Sequence, residues 1–133
     1  MKKDLLKLLD LTSEDILEIL DTADRLKAMK KAGIPHPFLE GKTLAMIFEK
    51  SSTRTRVSFE TGIYQLGGNA IYLSDTHSQI GRNDPLQDTA RVPSRFCAGI
   101  LLRTFPQEEV QPLATHAPIP LHNALHHFPN PCP

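Results

Sequence analysis

Apolar residues along this chain follow two rhythms. Short, nearly unbroken apolar runs occur at Thr43–Phe48, Asn69–Ser74, 99–105 and 119–125, with the length and continuity of strands covered on both faces. Longer stretches carry apolar residues at helical spacing. Ile16, Leu17, Ile19, Leu20, Ala23, Leu26 and Met29 form a stripe over 15–31, and Val57, Phe59, Ile63, Tyr64 and Leu66 form another after residue 52. Further helices are predicted over 86–97 and 107–117. Strand, helix and strand in alternation imply parallel strands joined by right-handed crossovers. The predicted fold class is therefore α/β, a four-stranded parallel sheet flanked by helices.

Local signals set the element ends. Thr12 or Ser13 can cap the helix over 15–31, acidic residues sit early in it, and Lys27, Lys30 and Lys31 sit late, which suits the helix dipole. Gly33 closes it, and its stripe predicts a helix packed on the body of the protein. Residues 4–10 read as a brief helix, and 34–41, rich in turn residues, as a connector with His36 exposed. Gly67-Gly68 ends the second helical stretch. Three prolines oppose the elements around them. Pro93 predicts a kink or early stop, Pro112 a break or restart, and Pro120 a strand that pairs fully only at its margins.

The first strand runs into Phe48-Glu49-Lys50-Ser51-Ser52-Thr53-Arg54-Thr55-Arg56, a run of hydroxyls and guanidinium groups that opens a helix. Ser52, Thr53 and Thr55 then fall in a first turn, where unpaired N–H groups and the positive end of the dipole favour an anion. Arg54 and Arg56 add planar donors that match phosphate or carboxylate oxygens two at a time. An isolated cap followed by solvated arginines would need neither the density of hydroxyls nor the position after a buried strand, where α/β sheets place their ligands. Arg103 stands at the carboxyl end of the third strand, in the same kind of place.

Composition narrows the partners. The 133 residues fit one domain, with 15 Lys+Arg against 15 Asp+Glu, so no basic excess points to nucleic acid or an anionic membrane. No apolar run has the length of a membrane span or a secretory leader, which makes the cytoplasm the expected address. Cys97 and Cys132 are too far apart in sequence for a zinc spacing and too few for a disulfide framework; both are expected as free thiols. Six histidines without a Cys/His cluster predict no metal, and no cofactor is expected.

The string 48–60, ending Val57-Ser58-Phe59-Glu60, together with Tyr64-Gln65-Leu66-Gly67-Gly68, resembles the carbamoyl-phosphate signature of the aspartate/ornithine carbamoyltransferase family. Its Phe-Glu-Lys opening and Val-Ser-Phe-Glu close resemble the ornithine branch more than the aspartate branch. The resemblance implies a three-layer α/β/α carbamoyl-phosphate domain, with N-terminal helices in 1–35, sheet and crossover helices in 42–125, and a divergent tail in 126–133. It implies that Ser52, Thr53, Arg54 and Thr55 bind carbamoyl phosphate, with Gln79 of the loop 75–85 reaching it, in several members from a neighbouring subunit. Arg82 organises that loop through Asp84 or Asp88, or contacts the ligand. Asp88-Thr89-Ala90-Arg91-Val92 matches the helix that follows, and Arg103-Thr104-Phe105 carries the second anion-binding arginine. The family's His-Pro-Cys-Gln motif is replaced by Asn130-Pro131-Cys132-Pro133, in which Asn130 keeps an amide donor, a weak substitute, and Pro133 offers no side-chain donor; His126 and His127 lie just upstream.

The reaction implied is carbamoyl transfer from carbamoyl phosphate to the δ-amine of L-ornithine, giving citrulline and phosphate, a step of arginine biosynthesis and of urea-cycle-type chemistry. It needs fixed positive charge and alignment but no covalent nucleophile. Arg54 and Arg103 are the catalytic candidates. The family's second, amino-acid-binding domain is expected to be absent, so ornithine becomes a partner only if such a domain is supplied, and the chain alone is expected to be inactive. Family enzymes are trimers, which implies a homotrimer. The alternatives are a non-catalytic oligomerisation or binding fragment, and the aspartate branch of the family.

Overall fold

The computed structural model describes residues 4–49, 52–74, 86–103 and 107–125. The elements in chain order are α1 (Ser13–Lys31), β1 (Thr43–Phe48), α2 (Thr53–Gln65), β2 (Asn69–Ser74), α3 (Leu86–Phe96), β3 (Gly99–Arg103), α4 (Gln107–His116) and β4 (Leu121–Leu125), with a 3₁₀ turn at Leu8–Asp10 before α1. The four strands form one parallel sheet in the order β2-β1-β3-β4. The chain moves outward from β1 to β2, then crosses back past β1 to β3. That reversal puts the sheet's topological switch point between the carboxyl ends of β1 and β3.

Side-chain alternation divides the core into two layers. Ala45, Ile47, Ile100, Leu102 and Leu121 pack on one face with Val110, Leu113 and Ala114 of α4. Met46, Phe48 and Leu101 face the other way, towards Phe59 of α2 and Tyr72 of β2. The central strands are buried on both sides, which is why they read as unbroken apolar runs. The result is the three-layer α/β/α arrangement the sequence predicts.

Several local expectations are corrected. Residues 4–7 are not helical. Extended backbone there pairs with the outer edge of β4: the Leu5 amide donates to the Leu121 carbonyl at 2.9 Å and the Asn123 amide to the Leu5 carbonyl at 2.8 Å. An edge strand otherwise leaves a row of unpaired amides and carbonyls, and this segment covers it. Two side chains complete the join. Asp4 Oδ1 accepts from the Leu121 amide at 2.8 Å, and the buried Asn123 donates from Nδ2 to the Leu6 carbonyl at 3.0 Å.

α1 carries the expected cap, with Thr12 Oγ1 accepting from the Asp15 amide at 3.1 Å and Asp15 Oδ2 accepting from the Thr12 amide at 3.0 Å. Its apolar stripe, however, buries no residue, so it is not the packed helix that the periodicity predicts. Amphipathic spacing specifies that a face exists, not that anything covers it.

Neither α3 nor α4 stops at its proline. α3 runs through Pro93 to Phe96, and the Pro93 carbonyl accepts from the Cys97 amide at 2.8 Å. α4 is continuous through Pro112. A proline inside a helix costs about 3 kcal/mol, while burying an aliphatic side chain contributes about 1.5–3 kcal/mol. Val110 and Leu113, both fully buried, flank Pro112 and outweigh it. β4 begins one residue after Pro120, whose carbonyl still accepts from the Ile100 amide at 3.0 Å, so the proline sets the start of the strand instead of confining its pairing to the margins.

Candidate functional site

Ser52 is the N-cap of α2. Its Oγ donates to Thr55 Oγ1 at 3.1 Å and accepts, at a long 3.5 Å, from the Thr55 amide. A helix beginning at Thr53 leaves first-turn amides without intrahelical acceptors, with only residues 49–52 between it and Phe48, the carboxyl end of β1. Ser52 and Thr55 are half-buried, while Thr53 and Arg54 are exposed. Among the described residues no side chain pairs with Arg54.

Arg103 is the last residue of β3, in register with Phe48 of β1. The Glu49 amide donates to its carbonyl at 3.1 Å, so the strand-to-helix junction and Arg103 are joined at the backbone. The Arg103 Nε is buried and has no hydrogen-bond partner among the described residues. Burial pulls the guanidinium below its ordinary value, although an arginine remains a cation at any physiological pH. A buried N–H that lacks an acceptor is costly, and an anion at this point would satisfy it.

Arg56 lies elsewhere. Its guanidinium sits 3.9 Å from the centroid of the Tyr72 ring, and its Nε donates to Glu60 Oε1 at 3.2 Å. The sequence offers Arg54 and Arg56 as equivalent donors at the helix start; the structure separates them. Tyr72 and Glu60 are the residues that sequence reasoning missed. The Arg56–Glu60 pairing was readable from its i,i+4 spacing, whereas the contact with Tyr72 depends on how α2 crosses the sheet.

Ser52, Thr53, Arg54, Thr55 and Arg103 are thus brought to one corner of the sheet. Gln79 and Asn130 lie outside the described residues, as do Arg82, His126, His127, Cys132 and Pro133. Cys97 is buried and unbridged, and burial pushes its thiol up, away from the reactive thiolate form. Two cavities of about 410 Å³ lie against α1 and α2 and do not reach the junction. Among the described residues there is no metal-holding cluster of His, Cys, Asp or Glu and no helix long and apolar enough to cross a membrane.

The sequence pattern described as aspartate/ornithine carbamoyltransferase, carbamoyl-P binding domain matches residues 3–132. The chain belongs to this family. It is 52% identical over 132 residues to the ornithine carbamoyltransferase of Methanocorpusculum labreanum, covering 99% of this chain and 43% of that protein. It is 55% identical over 130 residues to the ornithine carbamoyltransferase of Oceanobacillus iheyensis, covering 98% of this chain and 40% of the relative. The ornithine carbamoyltransferase from Pyrococcus furiosus superposes with a TM-score of 0.91 at 49% identity, over 97% of this chain and 41% of that one. The catalytic subunit of M. jannaschii aspartate transcarbamoylase superposes with a TM-score of 0.84 at 37% identity, over 92% of this chain and 40% of that one. The carbamoyltransferase domain described above therefore spans about two fifths of the length of these relatives, and both branches share its fold.

Proposed function

We propose that this domain holds the carbamoyl phosphate of an ornithine carbamoyltransferase, with Arg54 and Arg103 as the two cationic clamps. The observation that carries the reading is the buried, unpartnered Nε of Arg103, joined through the Glu49 amide to the strand end from which α2 opens. An α/β sheet binds ligands at such a reversal of strand order, and a helix N-terminus beside two guanidinium groups favours a dianion. Ser52, Thr53 and Thr55 supply hydroxyl and amide donors to the phosphate, Gln79 reaches carbamoyl phosphate from its loop, and Asn130 is a weak amide donor at the carbamoyl end. The ornithine branch is supported by the identity of 47–55% to ornithine carbamoyltransferases and by the residues flanking the signature.

On this reading the neutral δ-amine of ornithine attacks the carbamoyl carbon. Negative charge grows on the carbonyl oxygen and then on the departing phosphate, and the fixed cations stabilise it without reorganising. Arg54 serves the carbonyl oxygen and phosphate, and Arg103 the phosphate. Transfer takes a second domain that aligns the amine, so the 133 residues alone turn over negligibly. The three-part division into 1–35, 42–125 and 126–133, the homotrimer and the cytoplasmic address belong to the same proposal.

Calorimetric titration with carbamoyl phosphate and with inorganic phosphate tests it. Arg54→Ala and Arg103→Ala are each expected to weaken binding at least about tenfold, the scale of one charge-assisted hydrogen bond. Unchanged affinity in both variants would place the anion elsewhere.

A further inference from the structure

We infer that Arg56 is a positioning residue, held by Tyr72 and Glu60 so that the first turn of α2 keeps its aim at the anion site; this rests on the site proposed above. The observations are a chain of contacts across three elements. The Arg56 guanidinium lies 3.9 Å from the Tyr72 ring centroid. Tyr72 meets Phe48 edge to face, with ring centroids 5.1 Å apart and planes at 77°. Phe48 is fully buried and is the last residue of β1, directly before the junction. Tyr72 is two residues from the carboxyl end of β2. The aromatic pair therefore ties two strand ends together, and Arg56 fastens the helix start to that pair.

Glu60 completes the clamp. Arg56 Nε donates to Glu60 Oε1 at 3.2 Å, one turn further along the same helix. With one edge on a carboxylate and its face on a ring, the guanidinium is fixed in plane as well as position. Arg54 and Arg56 are two residues apart, about 200° around a helix, so a helix that presents Arg56 to Tyr72 presents Arg54 on the opposite side. Rotation of the first turn would move both arginines together. Tyr72 thus governs the direction of Arg54 without touching it.

Phosphate titration on the 133-residue chain separates positioning from direct ligation. Tyr72→Leu removes the ring but changes no charge. It is expected to weaken phosphate binding about three- to tenfold, and Tyr72→Phe, which keeps the ring face, to stay within about twofold of the parent. Arg56→Ala is expected to match Tyr72→Leu, and the double variant to be no weaker than either alone, because both break one clamp. Glu60→Ala, at a part-exposed side chain, reports even if Tyr72→Leu is poorly folded: it frees the Arg56 guanidinium, so it weakens phosphate binding if Arg56 positions the turn and leaves it unchanged or tighter if Arg56 ligates the anion. An Arg56 that ligates the anion directly gives the opposite pattern: Arg56→Ala loses affinity, Tyr72→Leu does not, and the positioning role is overturned. Arg54→Ala is the control for the site itself. Affinity lost there but retained in Tyr72→Leu and Arg56→Ala refutes only the clamp, whereas affinity retained in Arg54→Ala refutes the site.

Discussion

Burial acts on Arg103 and His122 with opposite results. An arginine stays charged however it is buried, so the Arg103 guanidinium keeps its charge and an Nε without a partner among the described residues, and on the reading proposed above an anion would offset the cost of desolvation. A histidine can shed its proton. His122 of β4 is pulled below its ordinary value by desolvation, packs edge to face on Phe59 at 6.0 Å, and shares a cavity with Asp4, Asp15 and Glu18. The unfolded chain protonates this imidazole near 6.5, its ordinary value, and the folded chain only at lower pH. Between those points the unfolded state binds more protons, so the stability present above the ordinary value is lost as pH falls through it. Urea midpoints measured from about pH 7.5 down to about 5.5, above the carboxylate range, are expected to fall in the parent chain and to fall less in His122→Gln. Parallel pH slopes in the two chains would remove His122 from the account.

At the scale of elements, the turn between α2 and β2 shows how little space the fold leaves at its corners. The Gly67 amide donates to the Tyr64 carbonyl at 3.0 Å and the Gly68 amide to the Ile63 carbonyl at 2.9 Å, ending the helix. A Cβ on Gly68 would come within 2.7 Å of the Lys42 carbonyl oxygen and 3.1 Å of that of Leu39. Both contacts are backbone, and the Lys42 carbonyl also accepts from the Asn69 amide at 3.0 Å, so neither side can yield cheaply. Gly68→Ala is expected to destabilise by about 2 kcal/mol or more, whereas Gly62→Ala, inside α2 where a Cβ meets open space, is expected to stabilise by about 0.5–1 kcal/mol. Comparing the two denaturation midpoints checks it.

Those elements also mark what was legible beforehand. The four strands, the helix start at Thr53 and the place of Arg103 at a strand end could be read because apolar runs, hydroxyl caps and strand ends are local signals. The continuity of α4 through Pro112 could not, because burial of Val110 and Leu113 decides it and burial is a property of the folded whole. The edge pairing of Leu5 with β4 was hidden for the same reason: it joins the two ends of the described chain through backbone and the side chains of Asp4 and Asn123. At the site, the hydroxyl run marked the start of α2, but the separation of Arg54 from Arg56 required knowing where Tyr72 falls.

For the whole molecule, stability is unevenly distributed. The sheet and α4 supply most of the buried core and Phe59 of α2 packs on one of its layers, while α1 buries no residue and leaves Leu17 60% and Leu20 55% exposed. An isolated helix of this length is marginal in water, so α1 draws its order from its capping box and from what little it touches. Its opening free energy should therefore fall well below the global one. Amide exchange is expected to show α1 protected only weakly, with β1 and β3 exchanging last, near the global limit. Two substitutions give the same contrast by equilibrium unfolding. Leu113→Ala, in the buried layer, is expected to cost about 2–5 kcal/mol, whereas Leu17→Ala, on the uncovered face, should stay within about 0.5 kcal/mol. Equal protection of α1 and β1 would mean that the stripe on α1 is covered in solution, and Leu17→Ala would then cost as much as a core truncation.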